Sequence, residues 1–298
     1  MPEPTGTGEP VLLAGGGFGE ARMATLDERG RVVEYGWGRG SVTSLSVCPG
    51  GKNAAELLTR DGQVLLAVRR LPGLQLVSES VVAEMGSGSS VACTASNGSE
   101  ALAVVASYEQ KPEARLLKVT PIGTATLERA AQLSLAVRGK TFFVSLPNGN
   151  LVAREGEGAR RLIVRAGRHL TGMSVSPDMG FVAGLVGQEI VVADLVRRRT
   201  RTLPGISPFG ATQWLDTRTL AVASGYGRNG WLELFDPEGR SLRGPLPWGA
   251  HATTFRGREA FGVDWAGRLL YTGSSGEPAV RGLLFSPAIS TLAALPSP

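Results

Sequence analysis

Only two histidines occur in the chain, His169 and His251, so any acid–base or metal chemistry by imidazole falls to them. Each sits just before an apolar run, well apart in sequence, which fits two ordinary half-exposed side chains rather than a shared ligand set. Cys48 and Cys93 are the only cysteines and cannot complete a four-ligand zinc site alone. They are either one disulfide or two small buried hydrophobes. A nucleophilic serine would need a base and a carboxylate, and no G-x-S-x-G occurs. Ser176 in SVSPD and Ser286 in LFSPA read as turn formers, because short polar side chains bond nearby backbone. The segment VLLAGGGFGEARM looks like a phosphate-cradling turn, yet Glu20 stands where the third glycine of G-x-G-x-x-G belongs. The residues after it read as a hairpin, so the glycines are expected in a strand connection at a rim. No catalytic residue, metal ligand or cofactor is assigned.

Charge is uneven. Lys and Arg number 31 against 26 acids, a net +5, and only four of the 31 are Lys. Residues 150–201 hold nine Arg (154, 160, 161, 165, 168, 197, 198, 199 and 201) against five acids, Glu155, Glu157, Asp178, Glu189 and Asp194. A nucleic-acid surface interleaves aromatics with its bases. Here Phe181 is the single aromatic, so this segment reads as a solvated basic sector, with an anion-binding patch as the alternative and no nucleic acid expected. The N-terminus, MPEPTGTGEP, lacks the basic-then-apolar pattern of a signal peptide. Taken literally this places the protein in the cytoplasm; a secreted or periplasmic mature fragment is the alternative. No run of 18 apolar residues predicts a transmembrane helix.

The elements that must carry these residues are strands. Apolar content of 42% with 19% charged excludes wholesale disorder. Gly and Pro make up about a fifth of the chain, above the average of roughly 12%. Apolar runs of four to seven residues recur between turn pairs such as Asp61-Gly62, Asn97-Gly98, Asn148-Gly149 and Glu238-Gly239. Even 124–138, which lacks Gly and Pro, reads as well as outer strand, turn and inner strand as it does as a helix. Turns that end a first strand fall near Gly50, Asn97, Gly139, Asp178, Thr217 and Gly257, about 41 residues apart. A third-strand motif keeps the same period: VLLAVR, LLKVTP, IVVADL, LELFDP and RLLYTG.

A period near 41 carrying four strands is the signature of a propeller blade. SVSPD…IVVADL and LELFDP resemble bacterial WD-repeat-like β-propellers, in which a hydrophobic third strand ends in Asp, here Asp194 and Asp236. No Gly-His pair opens a blade and no Trp-Asp pair closes one, so the resemblance lies in rhythm and implies a fold. The expected fold class is all-β, a single seven-bladed β-propeller of four-stranded antiparallel blades; six blades is the alternative. Residues 1–9 are expected as a flexible tail and 10–295 as the propeller domain. The N-terminal part supplies three strands (11–14, 21–27 and 31–35), so the missing inner strand should come from RGLLFSPAISTLAAL, pairing the two chain ends.

In blade register, the loops from second to third strand and from outer to next inner strand open on one face. They gather Trp37 and Arg39, Tyr108 and Lys111, Arg168 and His169, Tyr226, Arg228 and Asn229, and Trp248 and His251. Aromatic and Arg side chains dominate recognition surfaces because each gives wide contact and a directed polar end. The expected function is therefore a non-enzymatic recognition or scaffold domain with a protein or peptide partner. Arg39, Lys111, Arg168 and Arg228 predict a polar, acidic ligand. A propeller lyase or hydrolase at the channel mouth is the alternative, and an extracytoplasmic sensor or accessory protein the second. Cys48 and Cys93 lie near the ends of consecutive inner strands, two positions out of register. Those strands should diverge, which argues against a bridge that needs Cα atoms about 4.4–6.8 Å apart.

Overall fold

The computed structural model describes residues 4–18, 21–107, 113–156, 158–203, 210–224, 229–273, 278–283 and 289–295. They form 28 strands and, among the described residues, no α-helix. Among these residues no helix is long and apolar enough to cross a membrane. The strands make seven four-stranded antiparallel sheets, numbered here as blades in chain order. Blade 1 holds β4 (Ser41–Val47), β5 (Asn53–Arg60), β6 (Gln63–Arg70) and β7 (Gln75–Ala83). Blade 2 holds β8 (Gly86–Cys93), β9 (Ala101–Ser107), β10 (Glu113–Thr120) and β11 (Gly123–Ala130). Blade 3 holds β12 (Ser134–Arg138), β13 (Thr141–Ser145), β14 (Asn150–Glu155) and β15 (Arg161–Arg165). Blade 4 holds β16 (Thr171–Val175), β17 (Phe181–Val186), β18 (Glu189–Asp194) and β19 (Arg199–Leu203). Blade 5 holds β20 (Gly210–Trp214), β21 (Leu220–Ser224), β22 (Trp231–Phe235) and β23 (Ser241–Pro247). Blade 6 holds β24 (Ala252–Arg256), β25 (Glu259–Val263), β26 (Arg268–Thr272) and β27 (Ala279–Leu283). Blade 7 is built from both chain ends: β28 (Ile289–Ala294), then β1 (Leu12–Phe18), β2 (Ala21–Leu26) and β3 (Val32–Trp37). This is the strand plan of a seven-bladed β-propeller.

Burial explains why the middle strands are so apolar. In β5 and β6 both faces are covered, so NAAELLTR and QVLLAVRR run without alternation. The outermost strands β7 and β11 are mostly exposed. Turns follow the side chains that define them. Ser176 Oγ donates to Asp178 Oδ1 at 2.6 Å and accepts from the Phe181 N–H at 2.9 Å, which makes the SVSPD corner. A D-x-x-G-R hairpin occurs three times, at Asp27, Asp236 and Asp264. In each, the carboxylate accepts both the backbone N–H and the Nε–H of the Arg four residues on, at 2.6–2.9 Å.

Two compact units divide the strands. The first comprises Met1–Ala131, Ala252–Thr272 and Ala279–Pro298, and so blades 6, 7, 1 and 2. Its core runs between neighbouring sheets. Leu12, Ala24 and Leu292 of blade 7 pack with Phe261, Val263 and Leu269 of blade 6. Leu13 and Met23 pack with Val42, Leu58 and Leu65 of blade 1. The C-terminal strand enters that core in register, Leu12 opposite Ala294 and Ala14 opposite Leu292. The second unit comprises Gln132–His251 and Gly273–Pro278, and so blades 3, 4 and 5. Its core pairs Phe143 and Leu151 with Val175 and Val182, and Leu185 and Ile190 with Trp214 and Leu220.

Two expectations change. Gly15 and Gly16 lie inside β1 rather than in a connection, and Gly19 and Glu20 lie outside the described residues. The reason is close approach: a Cβ on Gly15 would sit 2.8 Å from Val42 Cγ1 and 3.0 Å from Leu45 Cδ1. The cysteines are bonded. Cys48 and Cys93 form a disulfide with Cα atoms 4.9 Å apart. The inner strands do not diverge here, because small hydroxyl side chains draw them together. Ser44 Oγ accepts the Val91 N–H at 3.1 Å and Ser46 Oγ the Cys93 N–H at 3.0 Å.

A cystine closing 45 residues restricts the unfolded chain. Replacing both cysteines by Ala should cost about 2–4 kcal/mol in urea unfolding. Midpoints that coincide for the two proteins would show that the bridge contributes nothing to stability.

Candidate functional site

In each sheet, the end bearing the second-to-third strand hairpin also carries the exit from the outer strand and the entry to the next inner strand. The sequence-predicted residues fall at this loop end. In the first unit, Trp37 closes β3 with its side chain 56% exposed and its ring tilted against Tyr35, centroids 5.9 Å apart. Arg39 follows it and is exposed. Tyr108 and Lys111 lie outside the described residues, as do Tyr226 and Arg228 of the second unit.

The loop carrying Trp37 and Arg39 is held by a buried ion network. Glu56, in the middle of β5, is fully buried. Its Oε1 accepts Arg22 Nε at 3.0 Å, Arg22 Nη2 at 2.8 Å and Arg69 Nε at 2.8 Å. Both guanidiniums then reach the loop backbone. Arg69 Nη2 donates to the Trp37 carbonyl at 2.7 Å and Arg22 Nη1 to the Arg39 carbonyl at 3.1 Å. The glycines of GWGRG make room for this: Gly38 has φ +143°, and a Cβ there would lie 2.8 Å from Arg22 Nη1. A second carboxylate, Glu79 of β7, bridges Arg22 at 2.6 Å and Arg60 at 2.8 Å. Burial alone would raise the Glu79 carboxyl, but the two guanidiniums outweigh it and hold it below the usual carboxylate range. Arg22 is likewise penalised by burial, and the carboxylates of Glu56 and Glu79 more than compensate.

In the second unit, Arg168 and Asn229 are exposed, and His169 and His251 are half-buried. His169 shares a 3.2 Å hydrogen bond through Nε2 with Ser134 Oγ, and the next residue, Leu170, donates its N–H to Ser145 Oγ at 2.9 Å. This histidine therefore fastens the β15–β16 loop to blade 3. Burial lowers its pKa below the ordinary 6.5, against the raising effect of nearby backbone at Leu146 and Ser145. Trp248 is 1% exposed, with its backbone N–H on the Gly230 carbonyl at 2.8 Å. Its ring is buried rather than open to a ligand, and the Gly230 bond extends the β22–β23 ladder one residue beyond the Trp231–Pro247 pair. Among the described residues, no three His, Cys, Asp or Glu side chains gather into a metal-sized cluster.

Sequence reading missed two residues at the loop end of the first unit. Trp265 sits at the tip of the β25–β26 hairpin, 63% exposed. The Asp264 carboxylate fixes it there by accepting the N–H groups of Ala266 at 3.0 Å and Arg268 at 2.9 Å. The signal was present: the residue after Asp in a D-x-x-G-R turn occupies the hairpin tip. Met85, between β7 and β8, is 56% exposed. Trp265, Trp37 and Met85 thus mark the loop ends of blades 6, 7 and 1.

Replacing Glu56 with Gln removes the carboxylate that two buried guanidiniums share and leaves Arg22 with Glu79 alone. The variant should lose about 3–5 kcal/mol in denaturant titration. An Arg69→Met partner change should recover part of that loss if the charge imbalance is its cause. For His169, the folded pKa lies below the unfolded one. Its stabilising contribution is complete above about pH 6.5 and is lost as pH falls from there towards the folded pKa. His169→Gln should flatten the decline of Tm over that window, and an unchanged slope would place the titration elsewhere.

No family profile and no curated protein sequence matches the chain. Solved structures match in fold. A functionally unknown protein from Desulfotomaculum acetoxidans DSM 771 aligns with TM-score 0.69 at 12% identity, covering 97% of this chain and 99% of that one. The Nidogen/Laminin complex aligns with TM-score 0.56 at 12% identity, covering 96% and 98%. TolB from Acinetobacter baumannii aligns with TM-score 0.56 at 13% identity over 78% of this chain, which spans 61% of the TolB chain. At these identities the likeness is one of fold, and the fold is the seven-bladed β-propeller.

Proposed function

We propose that the protein is a non-enzymatic recognition module that binds an acidic protein or peptide at the loop ends of its blades. The observation that carries this is the trio Trp37, Trp265 and Met85, each more than half exposed at the loop ends of three consecutive blades in one unit. Trp and Met are enriched at protein interfaces, and these three are solvent-exposed at loop tips. Arg39 beside Trp37 sets the sign of the ligand, and Arg168 and Asn229 are the exposed members of the same set in the second unit. Tyr108, Lys111, Tyr226 and Arg228 belong to the proposal on sequence grounds alone; His169 supports its loop, Trp248 is buried and His251 is half-buried. The buried Arg22–Glu56–Arg69 network pre-sets the Trp37–Arg39 backbone, so little ordering entropy is spent on binding. One matched structure, nidogen with laminin, is an assembly of two proteins, which agrees with this use of the fold. The Cys48–Cys93 cystine favours an oxidising compartment, and so an extracytoplasmic sensor or accessory protein over a cytoplasmic one.

Photocrosslinking in the native cell tests the surface. A benzophenone amino acid at position 37 or 265 should trap a discrete protein adduct, while one at Ile122, 99% exposed on the opposite end of blade 2, should not. Arg39→Glu should reduce the position-265 adduct at least tenfold. Equal labelling from position 122, or no adduct at 37 and 265, would reject the surface.

A further inference from the structure

The basic segment noted in the sequence finds a place away from the loop ends. Where β19 meets the β22–β23 turn, a groove of about 150 Å³ is lined by Arg197, Arg199 and Arg201, with Phe181, Val192 and Pro237 as its apolar wall. We propose that this groove, on blades 4 and 5 of the second unit, binds the phosphate or sulfate monoester group of a small ligand.

Arg199 and Arg201 are alternate residues of one strand, so their side chains leave the same face about 7 Å apart. Arg201 is pre-aimed, because its Nη1 donates to the Glu238 carbonyl. Arg197 and Arg199 lean on Asp194, at 3.2 and 3.8 Å, yet their side chains stay 63% and 58% exposed. Asp194, which also lines the groove, accepts the Arg197 backbone N–H at 2.8 Å and so spends part of its charge on the chain itself. A guanidinium has five N–H donors in a planar fork, and each of these three spends only part of its set on the protein. The charges lining the groove are three Arg against Asp194 and Glu238. Glu238 also has Arg240 nearby, at 4.0 Å. A positive excess therefore faces the opening, and paired Arg forks match the oxygens of a tetrahedral oxyanion better than ammonium groups do.

The wall argues for an ester rather than a free ion. At roughly 30 Å³ per water, the groove holds the oxyanion and several further heavy atoms. Those atoms would meet Phe181, whose ring stacks on Trp214 with centroids 5.4 Å apart and planes 25° apart. A rigid aromatic wall beside an arginine fork suits a polar body with an anionic end, such as a sugar phosphate or sugar sulfate.

Calorimetric titration of the full chain with ribose 5-phosphate, glucose 6-sulfate and plain ribose tests this. We expect saturable binding of at least one ester and none of ribose, and the tighter ester identifies the oxyanion. The double variant Arg199→Ala/Arg201→Ala should weaken binding at least tenfold, and Arg201→Lys severalfold, since it keeps charge but loses the fork. Arg160→Ala/Arg165→Ala, outside the groove, should change nothing. Absence of saturable binding by both esters, or equal loss in the Arg160/Arg165 variant, overturns the site. None of these variants touches Trp37 or Trp265, so crosslinking there reads the recognition surface independently.

Discussion

One buried carboxylate, Glu56, sets the geometry of the first unit. Two guanidiniums from different blades, Arg22 of β2 and Arg69 of β6, converge on a single oxygen of it. Breaking such a buried pair by removing one partner is costly, and Glu56 is shared by both Arg while Glu79 adds a second partner for Arg22 alone. Each Arg also donates to backbone, Arg69 to Leu74 and Trp37 and Arg22 to Arg39, while Arg22 reaches Glu79 as well. An apolar replacement could fill this volume. It could not reach across a blade boundary and hold three carbonyls, and that reach is what ties a core interaction to an exposed loop.

The same logic of unpaired groups governs the chain ends. Three strands begin the chain without an inner partner, and a bare strand edge exposes a ladder of donors and acceptors. β28 satisfies it, with Leu295 N–H donating to the Val11 carbonyl at 2.9 Å as the chain leaves the sheet. Pairing residues nearly 300 apart is entropically costly, so its partners must be apolar enough to compensate. Ile289 and Leu292 are, packed among Phe261, Val263 and Leu269. Beside them Gly15 has no Cβ because Val42, Leu45 and Thr291 all occupy the space one would need.

The blades were legible in the sequence because a four-stranded leaf imposes a length and a hydrophobic rhythm on every copy. VLLAVR and IVVADL are third strands because both of their faces are covered, and coverage leaves a signature in composition. The turn at Ser176 and Asp178 was legible for a similar reason: its side chains bond locally. The cystine was not. Its closeness depends on Ser44 and Ser46 drawing β8 onto β4, a contact between residues 47 apart that no local pattern announces. Blade register placed Trp248 correctly at the end of β23, but register fixes where the backbone lies and not that the ring is buried, which depends on packing between distant residues. Trp265 failed in the opposite sense. It stands beside Asp264 at a hairpin tip that Asp27 and Asp236 share, but the matching Pro237 is buried, so the turn places the residue and only the surroundings expose it.

Beyond the Arg that fasten the D-x-x-G-R turns, position in the blade divides arginine between two further roles. Arg22 and Arg69 lie on third strands, where burial forces complete pairing and removes them from any ligand. Arg199 and Arg201 lie on an outermost strand, where one neighbour is missing and water reaches the guanidiniums. A charged outer strand also resists edge-to-edge association, because an added strand would bring its own charges against them. Protection and recognition therefore draw on one feature. The strand that repels a second copy of itself is the strand that can hold a compact anion, provided that a turn such as the one at Pro237 and Glu238 closes the groove beside it.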